Sequence, residues 1–486
     1  MAQSPGSAVP RTPSGATSDL DAGDPVLPPT IPHAGPLLET TPGYEVPASY
    51  LNLPEVGAAP TLQDRNELSR LDSHSAEELA APRLGRHDVP HQKDSPAERH
   101  QHIPSIQLPE AKDTVTPRWA TELYTVSHLI LFALFGTLAR LGLQALTFYP
   151  GAPIPFSSVW PNFAGSLIIG FLTEDRILFR PEGDVTPTYD QQISGFRKDE
   201  EAGSPDSQRV AQDIAAAKKA HLVVKKTLPL YIGLATGFCG SFTSFSSFIR
   251  DIFLALSNDL PMPGGVDTSR NGGYSFLALL AVIIGTVSLS LAGLHVGAHL
   301  ADALEPVTPS LRYPFSRKII DPLAVVLGWG SWIGAIILSI LPPDRYSNPG
   351  ASEIWRGSAT FALVFAPLGC LARFYASARL NGRFVAFPLG TFAVNVVGTA
   401  ILGLAWDIAH VPRGGVIGCQ VLQGVEDGFC GCLTTVSTWA VELTALTYRK
   451  AYVYGLVSIL SALVLLIAIM GGLRWSQDFS VLLCIH

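Results

Sequence analysis

From residue 119 onward, apolar runs long enough to cross a bilayer follow one another along the chain, separated by polar connections. A helical crossing needs about 20 apolar residues. By that measure spans are predicted at Val126–Phe148, Ser158–Leu172, Leu228–Leu256, Tyr274–Leu300, Ile319–Leu341, Gly357–Ser377, Phe387–Ile408, Val416–Leu446 and Ala451–Leu473, the second being short. They fall as four, one and four. The pattern therefore predicts an all-α polytopic membrane protein, with a four-helix unit over 119–310, a linker helix in 311–345 and a second four-helix unit over 346–486. Residues 1–118 instead are rich in Pro, Ser, Asp, Glu and His and have no helical or strand period. That composition predicts a disordered cytoplasmic tail, and Met1 does not open a signal peptide. A polar insert, 173–227, joins spans two and three and ends in a predicted amphipathic helix, Ser207–Lys226.

Composition adds little to this pattern, but the placement of charge adds a direction. The 486 residues are 47% hydrophobic and only 15% charged, and the net charge of -7 owes much to the tail and the insert, so it argues for no nucleic-acid partner. Basic residues gather on the connections that share a side with the tail: Arg176, Arg180, Lys218, Lys219, Lys225 and Lys226, then Arg312, Arg317 and Lys318, then Arg379, Arg383, Arg449 and Lys450. Short cytoplasmic loops carry the excess of Lys and Arg, which puts the N-terminus inside and the C-terminus outside. A single linker span then delivers the second unit upside down relative to the first, an inverted repeat. Within that linker, Gly330 and Gly334 stand four apart beside Trp329 and Trp332, a spacing that lets helices approach.

The chain repeats itself in detail. Residues 237–248 read GFCGSFTSFSSF and 428–439 read GFCGCLTTVSTW, each within a predicted span. Glycine costs a helix roughly 1 kcal/mol relative to Ala, and bare backbone in hydrocarbon is tolerated only where protein or a polar cavity covers it. Both copies therefore read as broken, buried helices beside a conduction or binding site. Upstream, FGTLARLGL with Gly136 and Arg140 answers PLGCLARFYA with Gly369 and Arg373, and NFAGSLIIG from Asn162 answers NVVGTAILG from Asn395. The six cysteines fall mostly in apolar spans, which fits small packing residues better than disulfides or zinc. No nucleotide-binding loop is evident, and no nucleophile–base arrangement or metal-ligand set appears in the spans, so an enzyme is not expected; the deep Glu or Asp that proton coupling needs is not evident either.

The order Gly-x-x-x-Arg, Asn-x-x-Gly-x-x-x-x-Gly, GFCG, found twice, resembles the CrcB-type fluoride channels, and the 4+1+4 doubling resembles their fused fungal form. The likeness covers roughly Leu123 to Leu473. It implies a structural sodium ion held by backbone carbonyls at Gly240 and Thr243 of one half and Gly431 and Thr434 of the other; the alternative is that these glycines only permit close helix contact. It implies a pore lined by Asn162 and Asn395 and by third-span aromatics, here Phe245 and Phe248, with Val436 and Trp439 at the matching places. Amide N–H groups can replace water on the anion, and a ring edge carries partial positive charge. The bland alternative makes Phe245 and Phe248 core or lipid-facing rings. A polar track of two hydroxyls one turn apart is matched by Thr286 and Ser290, whereas Ser458 is followed by Ala462. One working pathway, lined mainly by the first half, is the expectation.

Arg140 and Arg373 have two readings, anion attraction at a pore mouth or bonding to loop carbonyls. Asp251 and Glu442 occupy matched places near span ends. As a whole the likeness implies a passive, fluoride-selective exporter in the plasma membrane, needing the lipid bilayer and no organic cofactor, and monomeric because its repeats are fused. Proton-coupled anion exchange and a non-transporting scaffold are the rivals.

Overall fold

The computed structural model describes residues 44–53, 116–154, 156–179, 224–261, 271–341, 359–384, 386–411, 415–482 and 484. Among them the chain is helical, with no strand beyond an isolated bridge between Tyr44 and Thr116. In chain order the main elements are α1 (Arg118–Thr147), α2 (Val159–Glu174), an interrupted α3 that begins at Pro229 and ends in α3b (Phe245–Ser257), and α4 (Gly272–Leu304). Then come α5 (Asp321–Ile340), α6 (Phe361–Leu380), α7 (Leu389–Ala409), an interrupted α8 that begins at Gly415 and ends in α8b (Ser437–Ala445), and α9 (Tyr448–Gln477). Seven helices among the described residues are long and apolar enough to cross a membrane, which makes the chain a helical polytopic membrane protein. The two not among them are α2, whose 16 residues rise about 24 Å, and α8.

Burial separates a shell from a centre. Only 17% of the apolar window of α5 is covered by protein, against 89% for α3, so α5 faces lipid while α3 is the core. α5 lies against α1 and α6. Its tryptophans tie it there, Trp329 Nε1 donating to Ser127 Oγ at 3.1 Å and Trp332 Nε1 to the Val364 carbonyl at 2.9 Å. The close approach is made by Gly328, where a Cβ would meet the Ser127 carbonyl at 2.6 Å. Gly330 and Gly334, predicted to serve that purpose, face open space, because two residues and six residues on from Gly328 the helix has turned them off the contacting face. α2 and α4 form the tightest helix pair in the fold. Side chains at Gly170, Gly293 and Gly297 would run into the opposing carbonyls of Leu294, Phe163 and Leu167, so only glycine lets these backbones meet.

Two expectations fail. The predicted tail is not wholly without structure: residues 44–53 dock on the helical body, with Tyr44, Tyr50 and Leu53 buried. The Tyr44 hydroxyl donates to Asp321 Oδ2 at 2.6 Å, His128 Nε2 lies 2.9 Å from the other oxygen of that carboxylate, and Tyr50 meets Phe374 edge-on. Aromatic anchors in a polar stretch supply enough buried surface to hold a short segment. Second, Cys419 and Cys484 form a disulfide joining the start of α8 to the C-terminal segment, a pairing across 65 residues that spacing does not reveal. The other four cysteines are buried and in no disulfide. The remainder of the tail, most of the 173–227 insert and all but the end of its predicted amphipathic helix lie outside the described residues.

Candidate functional site

The two GFCG segments are the interruptions of α3 and α8, and they are built alike. In α3, Pro229–Ile232 leads into a widened π-helical stretch, Gly233–Cys239, followed by one tight turn, Gly240–Phe242. The backbone then extends at Thr243 (φ -94°, ψ 151°) and Ser244 (φ -142°, ψ 117°) before α3b begins. In α8 the π stretch is Val425–Cys430, the turn Gly431–Leu433, and Thr434 takes φ -96°, ψ 152°. The hydroxyl after the first break explains why that helix restarts. Ser244 Oγ accepts from the Ser247 N–H at 3.2 Å, an ordinary N-cap.

The second-span asparagines hold the breaks open. The Ser244 N–H donates to Asn162 Oδ1 at 2.9 Å, and Asn162 Nδ2 donates back to the Ser244 carbonyl at 3.4 Å. Asn395 makes the same two bonds to Thr435, at 2.9 and 3.1 Å. In a continuous helix the N–H of residue 244 would bond the carbonyl of Gly240, and that of 435 the carbonyl of Gly431. Each asparagine therefore withdraws a partner from one glycine carbonyl. Three residues on, Gly165 and Gly398 leave room for the methyls of Thr243 and Thr434, which a Cβ would strike. The spacing Asn-x-x-Gly thus clamps and accommodates one kink.

The halves are cross-linked at these kinks. Thr243 Oγ1 accepts from the Ser437 N–H at 3.1 Å and the Val436 N–H at 3.2 Å. Reciprocally, Thr434 Oγ1 accepts from the Ser246 N–H at 3.0 Å. Ser246 and Ser437 were not singled out from the sequence, although they are the serines that match when the two copies are superposed. The first-span arginines cross over as well. Arg373 Nε donates to the Cys432 carbonyl at 2.8 Å and Nη2 to the Thr236 carbonyl of the other half at 2.7 Å, while Arg140 Nη2 donates to the Asp427 carbonyl. Both arginines are 1% exposed, and each guanidinium lies where a side chain on the other half's Gly240 or Gly431 would have to go. These bonds are of the carbonyl kind, one of the two sequence readings, while Arg140 Nε and Nη1 have no partner among the described residues.

The aromatic residues meet beside the crossing. Phe245 and Phe248 are edge-to-face at 5.8 Å, and Phe245 meets Trp439 of the other half at 5.6 Å. All three are buried, as is Val436. Trp439 sits on α8b, which lies against α2 and α4. Along α4, Thr286 and Ser290 are each 1% exposed, and neither hydroxyl has a partner among the described residues; Ser166 Oγ of α2 is equally bare. On α9, Ser458 Oγ instead donates to the Tyr454 carbonyl at 2.7 Å, and Ala462 is fully buried.

Asp251 and Glu442 brace helix starts. Asp251 Oδ2 accepts from the Ser158 N–H at 3.3 Å, and Glu442 accepts from Thr391 Oγ1 at 2.5 Å and the Tyr454 hydroxyl at 2.6 Å. Deep carboxylates are nonetheless present where none was expected. Glu426 is buried in the π stretch of α8, 4.0 Å from Arg250.

The carbonyl set implied for sodium fits that ion in kind. Gly240 and Gly431 carbonyls have lost their helical donors, the adjoining residues supply hydroxyls and no carboxylate, and sodium is a hard cation that takes neutral oxygen.

Comparison with known proteins agrees with this double site. The family model described as CrcB-like protein, Camphor Resistance (CrcB), matches residues 127–297 and again 360–473. The chain is 55% identical over 459 residues to "Fluoride export protein 1" of Neurospora crassa, covering 91% of this chain and 85% of that protein. It is 32% identical to "Fluoride export protein 1" of Candida albicans, covering 76% and 87%. Over 85 residues it is 44% identical to "Fluoride-specific ion channel FluC" of Geotalea uraniireducens, covering 17% of this chain and 65% of that one. No solved structure matches. Because the two family matches fall on the two motif-bearing halves, and the Neurospora relative extends over most of both chains, this chain belongs to the CrcB-like family.

Proposed function

We propose that the protein exports fluoride as a passive, selective channel with one working pathway, lined by Asn162 and Ser166 of α2, Thr286 and Ser290 of α4, Phe245 and Phe248 of α3b, and Trp439 of α8b. The relatives named for fluoride export and fluoride-specific conduction support the substrate. One observation carries the choice of pathway. The hydroxyls of Thr286 and Ser290 are buried and bare, whereas Ser458 on α9 is satisfied within its own helix. Buried hydroxyls without partners call for a ligand that is not part of the chain, and a row of neutral donors beside ring edges binds an anion without trapping it. An inside-negative membrane drives an anion outward by about 2.3 kcal/mol per charge per 100 mV, so no coupled ion is needed.

In this proposal the two four-helix units are inverted around the α5 linker, the N-terminus is cytoplasmic and the C-terminus outside the plasma membrane. The Cys419–Cys484 disulfide supports that orientation, since disulfides persist in oxidising compartments. The chain works as a monomer, its two halves already joined through Thr243 and Thr434. The carbonyls of Gly240, Thr243, Gly431 and Thr434 would hold a structural sodium ion, whose chemistry is to neutralise converging carbonyl dipoles at the kinks.

Proton-coupled anion exchange is the second reading, favoured by the buried carboxylate of Glu426 facing Arg250. Fluoride efflux from liposomes bearing the full chain, with chloride as control and no pH gradient, decides between them. Efflux of fluoride but not chloride supports the channel. Efflux that stops when the proton gradient is abolished supports exchange. No efflux in either condition leaves the scaffold.

A further inference from the structure

The pathway above uses Phe245 and Trp439 alike, as ring edges. An indole differs from a phenyl ring in carrying an N–H. Trp439 is 2% exposed, and its Nε1 finds no acceptor among the described residues. Buried indoles normally have one; even the more exposed Trp329 and Trp332 of α5 donate, to Ser127 and to the Val364 carbonyl, while Trp406 Nε1 on α7 is bare like that of Trp439. Its helix lies against α2 and α4, which carry the bare hydroxyls of Ser166, Thr286 and Ser290, and also against α9, where a Cβ on Gly455 would come within 3.6 Å of the indole; the ring is held edge-to-face by Phe245. The matching position in the first half is Phe248, which has no such donor.

We infer that Trp439 Nε1–H is a hydrogen-bond donor to the permeating fluoride, and so a specificity-determining residue that turns one wall of the aromatic constriction into a hydrogen-bonding site. This rests on the channel reading above. Hydrogen bonds to an ionised acceptor are short and strong, and a compact anion that must shed tightly held water gains more from one than a larger halide does. A neutral N–H gives that gain without the full charge of an arginine, so release remains possible. The ring pair with Phe245 fixes the direction of the donor before the ion arrives, so little reorganisation is needed on binding.

The test uses the full chain in liposomes and, in parallel, indole ¹⁵N–¹H spectra of tryptophan-labelled protein. Trp439→Phe keeps a ring and deletes the donor. It should lower fluoride efflux by about tenfold or more, the size of a lost charge-assisted hydrogen bond, and reduce the preference over chloride. In the unaltered protein the Trp439 indole proton should move downfield with added sodium fluoride and stay put with sodium chloride. Wild-type efflux in Trp439→Phe, with Phe245→Ile inactive, overturns the donor and leaves the channel intact. If the unaltered chain does not conduct, the channel reading fails, and an indole resonance unmoved by fluoride then removes the donor too. Should Trp439→Phe fail to assemble, its resonance is assigned by substituting the remaining tryptophans, and the fluoride titration decides.

Discussion

Asn162 and Ser244 grip each other by both edges of the amide, the Ser244 N–H donating to Oδ1 at 2.9 Å and Nδ2 donating to the Ser244 carbonyl at 3.4 Å. Because Asn395 and Thr435 make the same pair, each asparagine is first a clamp on a broken helix. Asp at either position keeps an acceptor, loses the donor and sets a charge against a carbonyl. Asn162→Asp should abolish fluoride efflux. Asn162→Asp and Asn395→Asp should each lower stability by about 1–3 kcal/mol, the cost of leaving a buried group unpaired. Thermal unfolding of the purified variants checks this, and an Asn395→Asp protein as stable as the parent would contradict the clamp.

Gly240 and Arg373 occupy adjoining space in different halves. A methyl at 240 collides with the guanidinium that bridges the Thr236 and Cys432 carbonyls. Gly240→Ala should therefore destabilise by about 1–3 kcal/mol, the usual range for overfilling a buried site. Since the two residues touch, Gly240→Ala and Arg373→Ala should not add, with a coupling of about 0.5–3 kcal/mol in a double-mutant cycle. Strict additivity would place the guanidinium elsewhere.

The hydroxyl tracks of α4 and α9 should respond differently. Ser290→Ala removes a bare, buried hydroxyl and should cut efflux at least severalfold, and Phe245→Ile should abolish it. Ser458→Ala removes a hydroxyl whose bond is spent on the Tyr454 carbonyl, and Val436→Ile enlarges a residue with no polar group; both should leave efflux near the parent value. Liposome efflux at matched protein loading reads all four. Loss with Ser458→Ala rather than Ser290→Ala would move the pathway to the second half.

Cys419 and Cys484 should be found linked by peptide mapping under non-reducing conditions. Replacing both by Ser should lower stability by about 2–4 kcal/mol, as expected for opening a long loop, while efflux persists because neither residue touches the pathway. A free Cys484 in protein isolated from cells would count against an outward-facing C-terminus.

Exchange of sodium for a bulky organic cation should lower the unfolding temperature of the purified protein if the Gly240 and Gly431 carbonyls hold a sodium ion. The loss should be larger in the parent than in Asn162→Asp, where the kink is no longer clamped. An unfolding temperature indifferent to the cation would assign those carbonyls to water instead.

Hydropathy and repetition along the chain were enough to establish a helical membrane protein, its duplicated halves and the three motifs, because a bilayer requires long apolar runs and a duplicated gene leaves matched letters. They also marked the two GFCG segments as places where helices break. Only the folded chain decided what the motifs do to one another. Arg373 reaches the Thr236 carbonyl of the opposite half, Ser437 bonds Thr243, and α8b, which carries Trp439, lies against α2 and α4, since contacts between residues 137 and 194 apart are set by how helices meet and not by their order. Tertiary structure likewise drew Tyr44 and Tyr50 out of a polar tail, chose Gly328 over Gly330 and joined Cys419 to Cys484, each through a neighbour that linear spacing does not contain. The asymmetry of the two hydroxyl tracks was half legible: Ala462 is visible in the letters, but whether a serine is satisfied depends on where its neighbours stand.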